Sequence, residues 1–148
     1  MINRLRVRAQ GESGFTLVEL LVVMLILGLL AAIAIPAFFN QRAKAQDAEA
    51  KAAAKTVQTA LETYATDNNG KYTGATPAAL KTIEPTIVTS GTGGSAIKTL
   101  TPTTSGYTIE IYSDSGGTFS IVRSSTGALT YPCNSSGSGG CPSSGDWG

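Results

Sequence analysis

The sequence predicts an α+β protein, in which one long N-terminal helix packs on a C-terminal antiparallel sheet of about three to four strands. Three observations support this prediction. An apolar run covers residues 20–39, and a segment rich in Ala, Lys, Gln and Glu follows it over residues 40–68. Alternation of apolar and polar residues, which is typical of strands, begins only after residue 106. Helix and sheet are therefore separated along the chain, as in α+β folds.

The apolar run is long enough to cross a membrane. Its 20 residues, from Leu20 to Phe39, carry no charge and would span a bilayer as a helix. Three arginines precede it, at positions 4, 6 and 8. Because positive charge favours the cytoplasmic side, we expect a cytoplasmic N-terminus, a single pass through the cytoplasmic membrane and export of everything after Phe39.

Glu19, at the start of this run, has two interpretations. A carboxylate inside a spanning helix costs about 2.5–3.5 kcal/mol, and such residues tend to be functional. Glu19 either lies at the interface and reaches the lipid headgroups, or meets a cation. If the chain were cut after Gly14, Phe15 would gain an amino group four residues from Glu19. In a packed assembly, that amine on one subunit would neutralise Glu19 on another.

The segment from Gly14 to Glu19 reads Gly-Phe-Thr-Leu-Val-Glu, and the apolar run that follows contains Ala-Ala-Ile-Ala-Ile-Pro at residues 31–36. This combination of a glycine, an aromatic residue, a carboxylate and an apolar span resembles the N-terminus of type IV prepilins and of the related pseudopilins of type II secretion. The match is close over about 25 residues, and a weaker similarity continues to about Tyr72.

The resemblance implies roles for five residues. Prepilin peptidase would cleave after Gly14, and Phe15 would become an N-methylated N-terminus. Glu19 would guide docking through the Phe15 amine of a neighbouring subunit. In filaments of this family the helix often loses regular structure between a glycine and a proline, and Gly28 and Pro36 occupy those positions. Both residues are unfavourable inside a helix. The residues alone equally allow a close helix contact at Gly28 and a simple kink at Pro36, and in the unassembled chain we expect a kinked continuous helix.

Residues 40–68 predict an amphipathic continuation of the helix. One face carries apolar residues at steps of three and four and should pack on the sheet: Ala50, Ala54, Val57, Leu61 and Tyr64. The opposite face should be solvated or should meet another subunit: Lys51, Lys55, Gln58 and Glu62. The run Asp-Asn-Asn-Gly at residues 67–70 predicts the end of the helix, because Asn and Gly tolerate the left-handed conformation.

The remainder divides into a loop, a sheet and a tail. Residues 69–105 predict a loop, with a short helical turn from Pro77 to Lys81 capped by Thr76. Residues 106–131 predict a three-stranded meander. Residues 132–148 predict a tail containing Cys133 and Cys141, which in an exported segment most simply form a disulfide, the alternative being two free thiols. Trp147 either packs over an open sheet edge or belongs to a segment similar to that of calcium-binding pseudopilins.

Composition argues against catalysis. The chain has no histidine, which removes Ser-His and Cys-His nucleophiles and His-based metal sites. The glycine-rich stretch at residues 91–95 lacks the ending of a phosphate-binding loop. Glu110 and Asp114 are better explained by solvation than as a catalytic pair. The helix end explains Asp67, Asn68 and Asn69 better than a calcium site does. We expect no enzyme activity, no cofactor and no metal.

These observations predict a structural subunit of a type IV pilus-like filament. Its expected organisation is a cytoplasmic leader at residues 1–14, a membrane-spanning and filament-core segment at 15–39, and an exported head at 40–148. Its expected partners are further copies in a helical filament, prepilin peptidase, the pilus assembly machinery and the membrane. The head carries eight basic and eight acidic residues, so no nucleic acid is expected. The alternatives are a pseudopilin of type II secretion, a DNA-uptake pilin and, least favoured, a membrane-anchored enzyme.

Overall fold

Two helices and four strands make up the part of the chain that the computed structural model describes, Gly14 to Gly148. The elements are α1 (Leu17–Asp67), α2 (Pro77–Ile83), β1 (Ile97–Pro102), β2 (Tyr107–Tyr112), β3 (Thr118–Arg123) and β4 (Leu129–Thr130). The strands form one antiparallel sheet in the order β1-β2-β3-β4. The α+β class is confirmed. All but the last residue of the predicted leader lies outside the described residues.

Helix α1 runs without interruption through Gly28 and Pro36. The chain divides into two compact units, one ending at Ala37 and one from Phe38 to Gly148. The helix ends as the sequence predicts. Asn69 and Gly70 have φ angles of 56° and 77°, and the Gly70 amide donates to the Ala65 carbonyl at 2.7 Å. The helix end therefore accounts for Asn69 and Gly70 as a left-handed cap.

The core of the second unit lies between α1 and the sheet. Four of the five residues of the predicted helix face are buried, with Ala50, Ala54 and Leu61 fully inaccessible and Val57 2% exposed, while Tyr64 is partly buried. It packs against the inner residues of the two central strands, which face each other in register, Ile109 with Ile121 and Ile111 with Phe119. The alternation predicted for β2 is confirmed, because its three inner residues are buried and the residues between them are partly exposed.

Replacing Leu61 by Ala is expected to destabilise this unit by about 2–5 kcal/mol, because the side chain is fully buried and its removal leaves a cavity in the core. Thr63→Ala, on the exposed face of the same helix, should change stability by less than about 0.5 kcal/mol. Chemical denaturation of the full chain in detergent micelles, followed by tyrosine and tryptophan fluorescence, measures both. Equal stability of the two variants would contradict this assignment of the core.

Strand β1 corrects the prediction of a continuous loop over residues 69–105. The strand pairs with β2 from Ile97 to Pro102, and its register shifts between Ile97 and Thr99. Only Ile97 is fully buried, so the apolar alternation that reveals a strand is nearly absent. An exposed lysine, Lys98, and a proline, Pro102, are typical of an edge strand, which has no partner on its outer side.

Helix α2 is longer than the predicted turn but begins where the sequence indicates. The Ala79 amide donates to the Thr76 hydroxyl at 3.2 Å, and Pro77 occupies the first turn. In the tail, Cys133 and Cys141 form a disulfide, which confirms that prediction. Trp147 packs edge-on against Tyr131 with ring centres 5.2 Å apart. Its indole nitrogen donates to the Ser120 carbonyl at 3.1 Å. Trp147 therefore packs on the edge of the sheet, which is the first of the two interpretations given above.

Candidate assembly site

Thr16 and Glu19 form reciprocal hydrogen bonds at the start of α1. The Thr16 amide and hydroxyl both donate to Oε2 of Glu19, at 2.8 Å and 2.7 Å. The Glu19 amide in turn donates to the Thr16 hydroxyl at 3.2 Å. This is a capping box, in which a threonine and a glutamate three residues apart satisfy each other's backbone amides. In the single chain, Glu19 is therefore a capping residue at the positive end of the helix dipole rather than an isolated charge.

The surface of this helical segment is almost entirely apolar and exposed. Phe15 is 80% exposed, Leu17 77%, Met24 71% and Ile33 70%. The other large apolar side chains as far as Phe39 are at least 44% exposed. Monomeric soluble proteins rarely expose a continuous apolar surface of this size, so lipid or other protein chains must cover it. The helix is also long and apolar enough to cross a membrane.

Gly14 and Gly28 have no role that the structure of this chain explains. A Cβ atom added at either position would have no neighbour within 4 Å. Neither residue is among the glycines with positive φ angles. The fold of the described residues therefore does not itself require glycine at either position.

The predicted site residues are distributed over the two units of the chain. Gly14, Phe15 and Glu19 lie within the first turn of α1 and the residues just before it. Gly28 and Pro36 lie further along the same exposed helix. Cys133 and Cys141 belong to the second unit, where they form a disulfide.

The prediction for the polar face of residues 40–68 is wrong in part, because several of its side chains contact the sheet and the tail. Lys51 donates to the Gly140 carbonyl at 2.6 Å. The Nζ atom of Lys55 lies 3.9 Å from the centre of the Tyr131 ring, within the range of a cation–π interaction. These lysines extend from the helix over the aromatic side chains of the tail. Helical spacing cannot reveal such contacts, because they depend on where the tail returns to the helix.

Glu62, from the same face, joins the helix to two tyrosines. Its carboxylate accepts hydrogen bonds from Tyr72 at 2.7 Å and from Tyr107 at 3.0 Å. It also forms an ion pair with Arg123, with a closest distance of 3.4 Å. Burial, reinforced by the hydrogen bond to Glu62, raises the pKa of Tyr107 well above its usual range. Burial and the hydrogen bond to Glu62 also raise the pKa of Tyr72. Both phenols therefore remain donors, and their bonds to Glu62 fix the end of the helix against the sheet.

Glu110 and Asp114 do not form a pair. Glu110 accepts from Lys98 and from Thr118, each at 2.9 Å, while Asp114 accepts from the Gly94 amide in the neighbouring loop. Burial by itself would raise the pKa of Glu110, but the bonds from Lys98 and Thr118 outweigh it and hold that pKa below its usual value. Within the described residues, no cluster of three or more acidic or cysteine side chains is arranged to hold a metal.

The lowered pKa of Glu110 predicts a small acid-dependent loss of stability. A depressed folded pKa means that the contribution is present above the unfolded pKa and is lost as the pH falls through the folded value. Because the pair is partly exposed, we expect less than about 1 kcal/mol. The stability advantage of the wild type over Glu110→Gln should be present at pH 7 and should shrink below the usual carboxyl pKa. Thermal denaturation between pH 7 and pH 3 measures it, and an advantage that grows on acidification would contradict it.

Comparison with known proteins agrees with these features. Residues 10–35 match the family model described as the prokaryotic N-terminal methylation motif. The chain is 45% identical over 53 residues to the type IV major pilin protein PilA of Myxococcus xanthus, an alignment covering 36% of this chain and 24% of that protein. It is 42% identical over 57 residues to the type II secretion system core protein G of Pseudomonas aeruginosa, covering 38% and 40%. The type IV major pilin protein PilE1 of Neisseria gonorrhoeae is 43% identical over 61 residues, covering 41% and 36%.

Over its N-terminal part the chain is therefore similar to type IV pilins and to the pseudopilins of type II secretion. Each of these three alignments covers less than half of the relative's own length.

Proposed function

We propose that this chain is a structural subunit of a type IV pilus-like filament that polymerises through the apolar half of α1. The observation that carries the proposal is the exposed apolar surface from Phe15 to Phe39, headed by a capped carboxylate within the methylation motif. Such a surface has two suitable environments, a bilayer before assembly and the packed helices of other copies after it. The proposed role is structural, and no catalytic activity is assigned to the chain.

Processing precedes assembly in this proposal. Prepilin peptidase cleaves after Gly14 on the cytoplasmic side, and Phe15 is then N-methylated. The mature chain crosses the cytoplasmic membrane once through residues 15–39, with residues 40–148 outside. The pilus assembly machinery moves the subunit from the membrane into an extracellular filament.

Glu19 provides the docking signal. The new amine of Phe15 on one subunit replaces the Thr16 groups as the partner of Glu19 on another. The exchange costs little in the receiving chain, because the capping hydrogen bonds lie on the exposed side of the helix start. In the bonds that are replaced only the carboxylate is charged, whereas in the new bond both the amine and the carboxylate carry a charge, which adds a Coulombic attraction. Gly28 and Pro36 bound the part of the apolar helix that loses regular helical structure when the subunits pack.

A pseudopilin of type II secretion is the second candidate, favoured by the similarity to core protein G. The experiment that separates the two compares a deletion strain with its complemented parent. The pilus proposal predicts that sheared surface filaments containing this chain disappear on deletion, while secretion of extracellular enzymes continues. Loss of enzyme secretion with no change in surface filaments would favour the pseudopilin instead.

A further inference from the structure

Asp47 is a buried carboxylate in the second unit that the filament proposal does not use. It is 2% exposed, although it lies near the beginning of that unit on helix α1. A buried carboxylate is stable only when hydrogen bonds replace its water. Asp47 obtains these hydrogen bonds from two separate segments, the β2–β3 turn at residues 113–117 and the disulfide loop at residues 133–141.

The turn supplies two hydroxyl groups. Ser113 donates to Oδ1 of Asp47 at 2.6 Å, and Ser115 donates to the same oxygen. The same hydroxyls accept from the amides of the turn, Ser113 from the Ser115 amide at 3.2 Å and Ser115 from the Gly117 amide at 3.4 Å. The conformation of the turn is therefore coupled to the carboxylate through both serines.

The disulfide loop supplies a backbone amide. Gly140, the residue before Cys141, donates to Oδ2 of Asp47 at 2.6 Å, and its carbonyl accepts from Lys51. Two residues of α1, Asp47 and Lys51, therefore bind the backbone amide and the backbone carbonyl of Gly140. A Cβ atom at Gly140 would lie 2.8 Å from Cβ of Asp47, so only glycine allows the loop to approach this closely.

We propose that Asp47 transmits the state of the Cys133–Cys141 bond to the β2–β3 turn. The disulfide closes the loop and places the Gly140 amide on Oδ2. When the bond opens, the loop gains conformational freedom and the amide leaves. The carboxylate must then recruit water, which requires the structure around it to open. The serine hydroxyls lose their fixed acceptor, and the turn loosens although it contains no cysteine.

The chemical step is the reduction of the disulfide by a dithiol. The dithiol gives two electrons and two protons to the two sulfur atoms and is itself oxidised to a disulfide. The chain ends with two thiols, at Cys133 and Cys141. The proposed site is therefore a redox-sensitive contact whose effect appears in a different loop from the one that is reduced.

A second connection between the two segments has to be separated from this one. The Thr118 amide donates to the side chain of Asn134 at 2.7 Å, which joins β3 directly to the beginning of the disulfide loop. Reduction could reach the turn by that route without Asp47. The Asp47→Asn variant distinguishes the routes, because its single amide oxygen cannot accept from both the serine hydroxyls and the Gly140 amide, while Thr118 and Asn134 are untouched.

Hydrogen exchange of the full chain in detergent micelles, read by mass spectrometry before and after dithiothreitol treatment, tests the proposal. In the wild type, reduction should accelerate exchange in the β2–β3 turn about tenfold or more. The β3–β4 turn at residues 124–128, which Ser124 and Ala128 close by their own hydrogen bonds, should not respond. In oxidised Asp47→Asn the β2–β3 turn should already exchange fast, and reduction should add little.

Two results of this experiment would overturn the proposal. One is a β2–β3 turn whose exchange is unchanged by reduction. The other is an Asp47→Asn variant that responds to reduction as strongly as the wild type, which would assign the coupling to Thr118 and Asn134. Reduction or the Asp47→Asn substitution could accelerate exchange throughout the second unit, and the effect on the turn would then not be specific. In that case Gly140→Ala tests the contact with Asp47 while the disulfide stays intact. Its added methyl group should loosen the β2–β3 turn selectively, whereas Ser138→Ala in the same loop should not. An unaltered turn in Gly140→Ala would also contradict the proposal.

Discussion

Glu19→Gln is expected to abolish filaments while leaving the subunit in the membrane with its head folded. In the proposed assembly, Glu19 neutralises the Phe15 amine of a neighbour inside a water-poor core. Removing one charge of a buried pair costs about 3–5 kcal/mol, which corresponds to a hundredfold or greater loss of affinity for the filament. The yield of sheared filaments, relative to subunit retained in the membrane, measures the effect.

The choice of glutamine separates assembly from folding. Glutamine also completes a capping box with Thr16, so the start of α1 is preserved and the lost property is the charge. Glu49→Gln is the matched control, because Glu49 is an exposed carboxylate on the same helix within the second unit. Filaments from Glu19→Gln at the yield of the Glu49→Gln control would show that the charge of Glu19 is not the docking signal.

Gly14→Leu is expected to block processing and therefore also assembly. A Cβ atom at Gly14 would have no described neighbour within 4 Å, so we expect the head to fold normally with a leucine at this position. A peptidase that requires a glycine before the bond it cuts would find its substrate displaced. Displacement of about 1 Å can slow a reaction on the order of a hundredfold. The intact mass of subunit extracted from membranes should then be that of the full 148-residue chain.

Gly28→Ala is the control for this processing experiment. It adds a side chain at another glycine with open space, but within the apolar helix and away from the proposed cut. It should be processed normally. Gly14→Leu subunits with the same shortened mass as the Gly28→Ala control would contradict the assignment of the cleavage position.

The sequence correctly predicted the features that depend on short stretches of the chain. The helix, its Asn-Gly end and the alternation in β2 each depend on residues close together in the chain, and the structure has all three. Strand β1 was missed because an edge strand needs only one buried residue. Its outward-facing threonines and Lys98 give the same composition as the loop before it.

The contacts of the helix with the tail and the sheet were missed for a different reason. Glu62 meets Tyr107 across 45 residues, and Asp47 meets Gly140 across 93. Which side chain ends opposite another over such distances depends on the complete fold. Asp47 nevertheless carried one local signal. It lies three residues before Ala50, in step with the buried face, and an acidic residue at a core position predicts hydrogen-bond partners inside the protein.

The central claim is that the apolar segment becomes the core of a filament only after the leader is removed. Mass spectrometry of the N-terminus of surface filaments, sheared from cells and purified, tests it most directly. The account predicts abundant material whose first residue is Phe15 and whose terminal amine is methylated. Full-length chain that still begins at Met1 and is found only in membranes would contradict it.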